Sequence, residues 1–178
     1  MDLDVLKQRM APYRLVEITD REHDGIWELY TSVGSYFRSF QPFPVSLEEA
    51  LADIATLPEG ADPEKKHSLA AYDGAAIVAV LDFIEDFPVM DMIWLGLLLV
   101  HRDFQNRGIG SMLLRSLESV ALEQGCLRMI VAVGESDLSS RLFWQSKGFD
   151  VAGITTYLRR DGFAMKYLIM DKNAIPTA

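Results

Sequence analysis

Leu97-Leu98-Leu99-Val100, His101-Arg102-Asp103-Phe104, Gln105-Asn106-Arg107-Gly108-Ile109-Gly110 and Ser111-Met112-Leu113-Leu114-Arg115-Ser116 follow one another without interruption. The first group ends an apolar run from Met90 to Val100 that reads as a central, buried strand. The last opens a helical pattern over residues 111–124, with Leu113, Leu114, Leu117, Val120 and Ala121 on one face and Gly125 at its end. Strand, glycine loop and helix N-terminus together make a site for an anion, because the first turn of a helix carries unpaired N–H groups and about half a positive charge. Gly108 and Gly110 have no Cβ, which lets a phosphate approach the backbone closely. Arg102, Arg107 and Arg115 add positive charge nearby.

Two common phosphate loops do not fit. A Walker A loop needs Gly-Lys-Ser/Thr where this chain has Gly110-Ser111-Met112. A dinucleotide fingerprint needs a third glycine at position 113, which is Leu113, and the preceding elements have an antiparallel pattern rather than alternating strands and helices.

Outward from this stretch, Tyr13–Ile18 alternates as a strand after a polar lead-in over residues 1–11. Thr19 or Asp20 caps a helix through Ile26, Trp27, Leu29 and Tyr30. Gly34, Pro42 and Pro44 interrupt the pattern among Tyr36, Phe37, Phe40 and Phe43. Ser46-Leu47-Glu48-Glu49 is a capping box for a helix ended by Pro58 and Gly60. His67–Tyr72 and Ala75–Ile84 form a hairpin around Asp73-Gly74. Leu127–Val133 is a strand and Leu138–Lys147 a short helix stopped by Gly148. Val151–Arg159 and Phe163–Met170 flank a second hairpin signal at Asp161-Gly162, and Arg159-Arg160 reads as a solvated turn. The expected order is βααβββαβαββ in one domain over residues 1–178.

At Gln105-x-x-Gly108-x-Gly110, set between that strand and that helix and followed by a helix closing on Lys147-Gly148-Phe149, the sequence resembles the GNAT superfamily of acyl-CoA-dependent N-acyltransferases. The resemblance covers residues 67–170 well. It implies an α/β (α+β) fold with a mixed, mostly antiparallel sheet flanked by helices and splayed at the cofactor site. It implies acetyl-CoA as acyl donor and direct attack by a primary amine through a tetrahedral intermediate. Gln105, Asn106, Arg107, Gly108, Ile109, Gly110 and Ser111 would supply backbone N–H groups to the pyrophosphate. Leu98, Leu99 and Val100 would pair with the pantetheine amides, with a free N–H near Leu98 facing the thioester oxygen. Asp137 and Ser140, at the start of the last helix, complete the expected cofactor set.

The usual proton-transfer residues are missing. Counting back from Gly148-Phe149, the position of the family's tyrosine acid is Trp144, and the central-strand glutamate is Trp94. An indole N–H is not a useful proton source. Asp137 stands where an asparagine is frequent. An alkylammonium, with a pKa of about 10, must still lose a proton before attack. Asp82, Glu85, Asp86 and Asp91 lie near the expected cleft; Asp91 is the first choice as base because it begins the central strand, and Tyr157 is the candidate acid. These absences also motivate a second reading, a CoA-binding sensor or interaction module with little transferase activity.

Composition narrows the classes further. The net charge of −9 argues against a nucleic-acid binder. Residues 1–89 carry 17 acidic and 7 basic side chains, a balance of −10, and residues 90–178 come to +1. The near-neutral half suits a polyanionic donor, and the acidic half suits a small cationic amine or a peptide N-terminus. The single Cys126 excludes a disulfide framework and reads as a small core residue rather than a nucleophile. His23, His67 and His101 lack metal spacing, and no metal is assigned. The longest apolar run is about half of the roughly 20 residues a spanning helix needs. Met1-Asp2-Leu3-Asp4 lacks the pattern of a secretory leader, so the cytoplasm is the expected compartment, with no membrane partner and a homodimer left open.

Overall fold

A computed structural model describes residues 1–37, 44–158 and 164–173, apart from the side chains of Ser35 and Leu158. Among the described residues, seven strands join in one sheet: β1 (Arg14–Glu17), β2 (Lys66–Asp73), β3 (Ala76–Glu85), β4 (Met92–Val100), β5 (Arg128–Gly134), β6 (Asp150–Leu158) and β7 (Ala164–Asn173). Their order is β1-β2-β3-β4-β5-β7-β6. Every neighbouring pair is antiparallel except β4 and β5, so the mixed, mostly antiparallel sheet expected from the sequence is present.

Helices cover both faces. On one, α1 (Leu3–Arg9), α5 (Ile109–Glu123) and α6 (Leu138–Ser146) bury Leu6, Leu113, Leu117 and Trp144 against Leu81, Phe83, Leu95 and Met129. On the other, α2 (His23–Ser32), the four-residue α3 (Gly34–Phe37) and α4 (Leu47–Ala55) pack Ile26, Leu29, Tyr30, Ala50 and Ile54 onto Ala70, Val80 and Leu99. Both faces being covered explains why β3 is apolar from Ala76 to Leu81 and again at Phe83 and Ile84, with Asp82 between them and Glu85 at its end.

Several expectations shift. The lead-in is a helix: the Asp2 carboxylate caps α1 by accepting from the N–H groups of Asp4 and Val5, both at 3.1 Å. The helix after Thr19 opens as a 3₁₀ turn over Asp20–Glu22, closed by a reciprocal bond pair between Thr19 and Glu22. The Ser46/Glu49 capping box forms as expected. The first hairpin turns at Gly74-Ala75 rather than Asp73-Gly74, because Asp73 still pairs with Ala76. The strand buried on both faces is β3, while β4 is open at Gly96, Leu97 and Leu98. Phe40, Phe43, Arg159-Arg160 and the turn signal Asp161-Gly162 lie outside the described residues.

Candidate functional site

The site begins where β4 and β5 part. Their parallel pairing runs from Met92 with Arg128 to Leu95 with Val131 and stops there. Beyond it, Leu97–Val100 stay on β3 and Ala132–Gly134 stay on β7. This is the splay expected from the sequence. Its local cause is a bulge, since Asp82 faces Leu97 and Phe83 faces Leu95, which leaves Gly96 unpaired between them. A bulge bends its strand and raises the local twist, so β4 leaves β5 at that residue.

The parted strands open a cavity of about 670 Å³. Gly96–Val100 form one wall and Val131–Val133 the other; the loop and first turn of α5 form one end; Asp137, Ser139, Ser140, Phe143 and Trp144 close the α6 side. Ser32, Val33 and Tyr36 come from the opposite helical layer. Of the twelve residues expected at the cofactor, Leu98, Leu99, Val100, Gln105, Asn106, Gly108, Ile109, Gly110, Ser111, Asp137 and Ser140 line this cavity. Arg107 does not; its guanidinium lies 4.9 Å from the centre of the Phe104 ring.

The loop is held from within. Gln105 donates its side-chain amide to the Val100 carbonyl at 3.0 Å, tying the loop to the end of β4. Its backbone N–H already donates to Arg102 O at 3.2 Å, so the expected anion-binding role of that amide does not fit. The Arg102 N–H donates to Ser32 Oγ at 3.1 Å, which joins the loop to the end of α2. Asn106 and Gly108 take left-handed backbones with φ of 60° and 82°. Gly108 is the N-cap of α5 and offers no side-chain cap, so the N–H groups of Ile109, Gly110 and Ser111 keep no partner within the helix. A Cβ on Gly108 would meet nothing within 4 Å, whereas one on Gly110 would sit in ordinary contact with Val100 and Phe143. Gly108 is therefore set by its φ and by the open space before the helix end, and close approach is not what requires Gly110.

At the α6 end, Asp137 Oδ1 accepts from the Ser140 N–H at 3.0 Å. Its Oδ2 is buried without a partner among the described residues, and a buried acceptor costs free energy until a donor meets it. Trp144 is buried edge-on against Phe143 and Phe149 and presents no hydroxyl to the cavity. Across from it, burial and the nearby Asp137 carboxylate push the Tyr36 phenol well above its usual range. Trp94, in the other usual position, meets Phe87 edge-on at 5.9 Å.

The two residues expected to move protons lie elsewhere. Asp91 is exposed in the turn that begins β4, the end opposite the cavity; its N–H donates to Asp86 and its carbonyl accepts from Leu127. Tyr157 is 59% exposed on the edge strand β6 and does not line the cavity. Cys126 is buried, and burial raises its thiol above the usual range, as suits a core residue. The charged group that sequence spacing did not single out is Asp82, buried beside Gly96 with Lys66 and Ser68. Its one signal was a carboxylate with apolar residues on both sides of it in the strand.

Comparison with known proteins agrees with this geometry. The E. coli ribosomal-protein-S18-alanine N-acetyltransferase superposes with a TM-score of 0.64 over 93% of this chain and 96% of its own, at 17% identity. An acetyltransferase from Thermus thermophilus gives 0.67 over 90% and 96% at 23% identity. An N-acetyltransferase from Staphylococcus aureus gives 0.65 over 93% and 100% at 15% identity. At such identities the likeness concerns the fold. No curated protein matches the chain in sequence. The sequence does match the profile of the Acetyltransferase (GNAT) family across residues 23–149, which takes in α2, the splayed strands, the glycine loop and α6, and the chain belongs to that family.

Proposed function

We propose that this protein transfers an acetyl group from acetyl-CoA to a primary amine. The observation that carries this reading is the parting of β4 from β5 after Leu95 and Val131, directly beside the unpaired first turn of α5. The free edge of β4 from Gly96 to Val100 offers N–H and C=O groups to the amides of a pantetheine arm laid along it. The N–H groups of Ile109, Gly110 and Ser111 suit the pyrophosphate. The orphaned Asp137 Oδ2 suits a pantetheine amide N–H, which an ionised carboxylate accepts as well as an asparagine oxygen would.

Once both reactants lie in the cleft, the free amine attacks the thioester carbonyl, and a β4 N–H near Leu98 stabilises the oxyanion as it forms. Holding the two partners together contributes about 7 kcal/mol or more to lowering the barrier. A small cationic amine or a peptide N-terminus fits the acidic balance of the first 89 residues. The test is release of CoA thiol from acetyl-CoA over a panel of cationic, neutral and acidic amines, with acetyl-CoA binding followed in parallel. Turnover that favours cationic amines is expected, and preference for neutral or acidic ones overturns the acceptor class. Tight acetyl-CoA binding with silence across the panel favours the second reading, a binding module, which Trp94 and Trp144 in the usual catalytic positions support.

A further inference from the structure

Asp82 is a buried charged group beside the fork of the two strands. It sits on β3 opposite Leu97, two residues past the last β4–β5 pair. Its side chain is only 5% exposed. Lys66 donates to Oδ2 at 2.5 Å and Ser68 donates to the same oxygen at 2.6 Å. All of its hydrogen bonds to described residues therefore fall on one oxygen. The other, Oδ1, lies over the bulged Gly96, where a Cβ would collide with it. Gly96 itself is exposed and lines the cavity. Asp82 is itself buried and does not line the cavity, so Gly96 is what stands between Oδ1 and the cleft, and any side chain at position 96 would collide with that oxygen.

The geometry points to Asp82 as the group that takes the proton from the acceptor ammonium, with Lys66 and Ser68 as the residues that position it. This rests on the transferase reading above. The ammonium R–NH₃⁺ gives one proton to Oδ1. The freed lone pair forms the C–N bond to the thioester carbonyl. As the C–S bond breaks, the second N–H proton goes to the departing CoA thiolate. Asp82 then passes its proton to water, so one H⁺ is released for each amide made. Lys66 and Ser68 occupy Oδ2 alone, which leaves the lone pairs of Oδ1 as the acceptor for the proton. The role that the family usually gives to the residue at Trp94 thus moves one strand over.

The charged and titratable groups whose fields reach Asp82 are Lys66 from β2, Asp53 from α4, Tyr30 from α2 and, from the opposite face of β2, His67. Burial raises the Asp82 carboxyl above the ordinary carboxylate range, against the pull of Lys66 and Ser68. Its charged form therefore fills only as pH rises through that raised value, and kcat/KM for the acceptor rises with it.

In the wild type, the acidic limb of the pH profile of kcat/KM keeps one midpoint for acceptors whose own pKa values differ; a limb that tracks the pKa of each amine overturns the assignment. Asp82→Asn lowers kcat/KM by about 100-fold or more and leaves acetyl-CoA affinity within about twofold, and the fixed limb disappears. An Asp82→Asn enzyme that folds and keeps both its rate and the fixed limb sinks the assignment while leaving the transferase reading intact. A wild type that binds acetyl-CoA and acetylates no amine overturns both. The wild-type profile decides the matter even if the variant fails to fold.

Discussion

Gly108 carries a φ of 82°, and a Cβ there would project into open space at the end of α5. Two separate costs follow from one atom position. Any L side chain in a left-handed backbone costs about 1–2 kcal/mol. A side chain there also enters the space before the first-turn N–H groups. Gly108→Ala should lower unfolding free energy by about 1 kcal/mol and weaken acetyl-CoA modestly, whereas Gly108→Glu adds like charge and should weaken it at least about 100-fold. Calorimetric titration of both variants checks this, and wild-type affinity in Gly108→Glu would remove the loop from the site. This position was legible in the sequence, because a glycine between a strand and a helix has few other reasons to be there. Asp82 was legible only as one of four acidic residues near the cleft. Its distinction comes from a bulge at Gly96 and from partners 14 and 16 residues away, Ser68 and Lys66, which no local spacing encodes.

Among the elements, α1 departs furthest from the sequence reading, which had a polar lead-in there. Its seven residues are too few for a clear periodicity, and four of the first ten residues of the chain are charged. Its stability is tertiary. Leu6 and Met10 are fully buried against the sheet, and Arg9 forms a paired contact with Glu123 on α5 at 2.7 and 2.9 Å. Leu6→Ala should therefore cost about 2–5 kcal/mol. Asp2→Ala, which removes the cap, should cost about 1 kcal/mol. Urea unfolding of the two variants distinguishes a packed helix from a loosely attached one, since equal and negligible losses would contradict the packing. By contrast α5 was read nearly to its ends, because a 15-residue helix repeats its apolar face often enough to be unambiguous. The start of α5 lies two residues earlier than its periodicity suggested, at Ile109, and that offset is what puts Gly108 at the cap.

For the molecule as a whole, the uneven charge gives a testable consequence for how reactants arrive. A field of −10 over the first 89 residues draws cations and repels anions, and salt weakens it as the screening length falls from about 10 Å at 0.1 M to about 3 Å at 1 M. The kcat/KM for a cationic acceptor should fall several-fold over that range, while that for a neutral amine stays nearly level. Steady-state rates across a salt series give the answer, and equal salt dependence for the two would detach the charge asymmetry from acceptor choice. The sheet order was only partly legible. The insertion of β7 between β5 and β6 depends on contacts between distant segments, which pattern and turn signals do not specify.

Among the described residues, four residue pairs and the bond from the Leu127 N–H to the Asp91 carbonyl just ahead of them join β4 to β5, a short seam between a four-stranded leaf and a three-stranded one. Whatever fills the gap beyond Leu95 and Val131 touches both leaves and acts as a splint across that seam. The donor would then brace the scaffold as well as supply the acyl group. Saturating acetyl-CoA at about 100 times its Kd should add about 2.7 kcal/mol to stability. Amide exchange should slow together on the separated segments Gly96–Val100 and Val131–Val133, and slowing on one leaf alone would mean that the gap is not bridged. Release of CoA would then return the seam to its looser state at the end of every turnover.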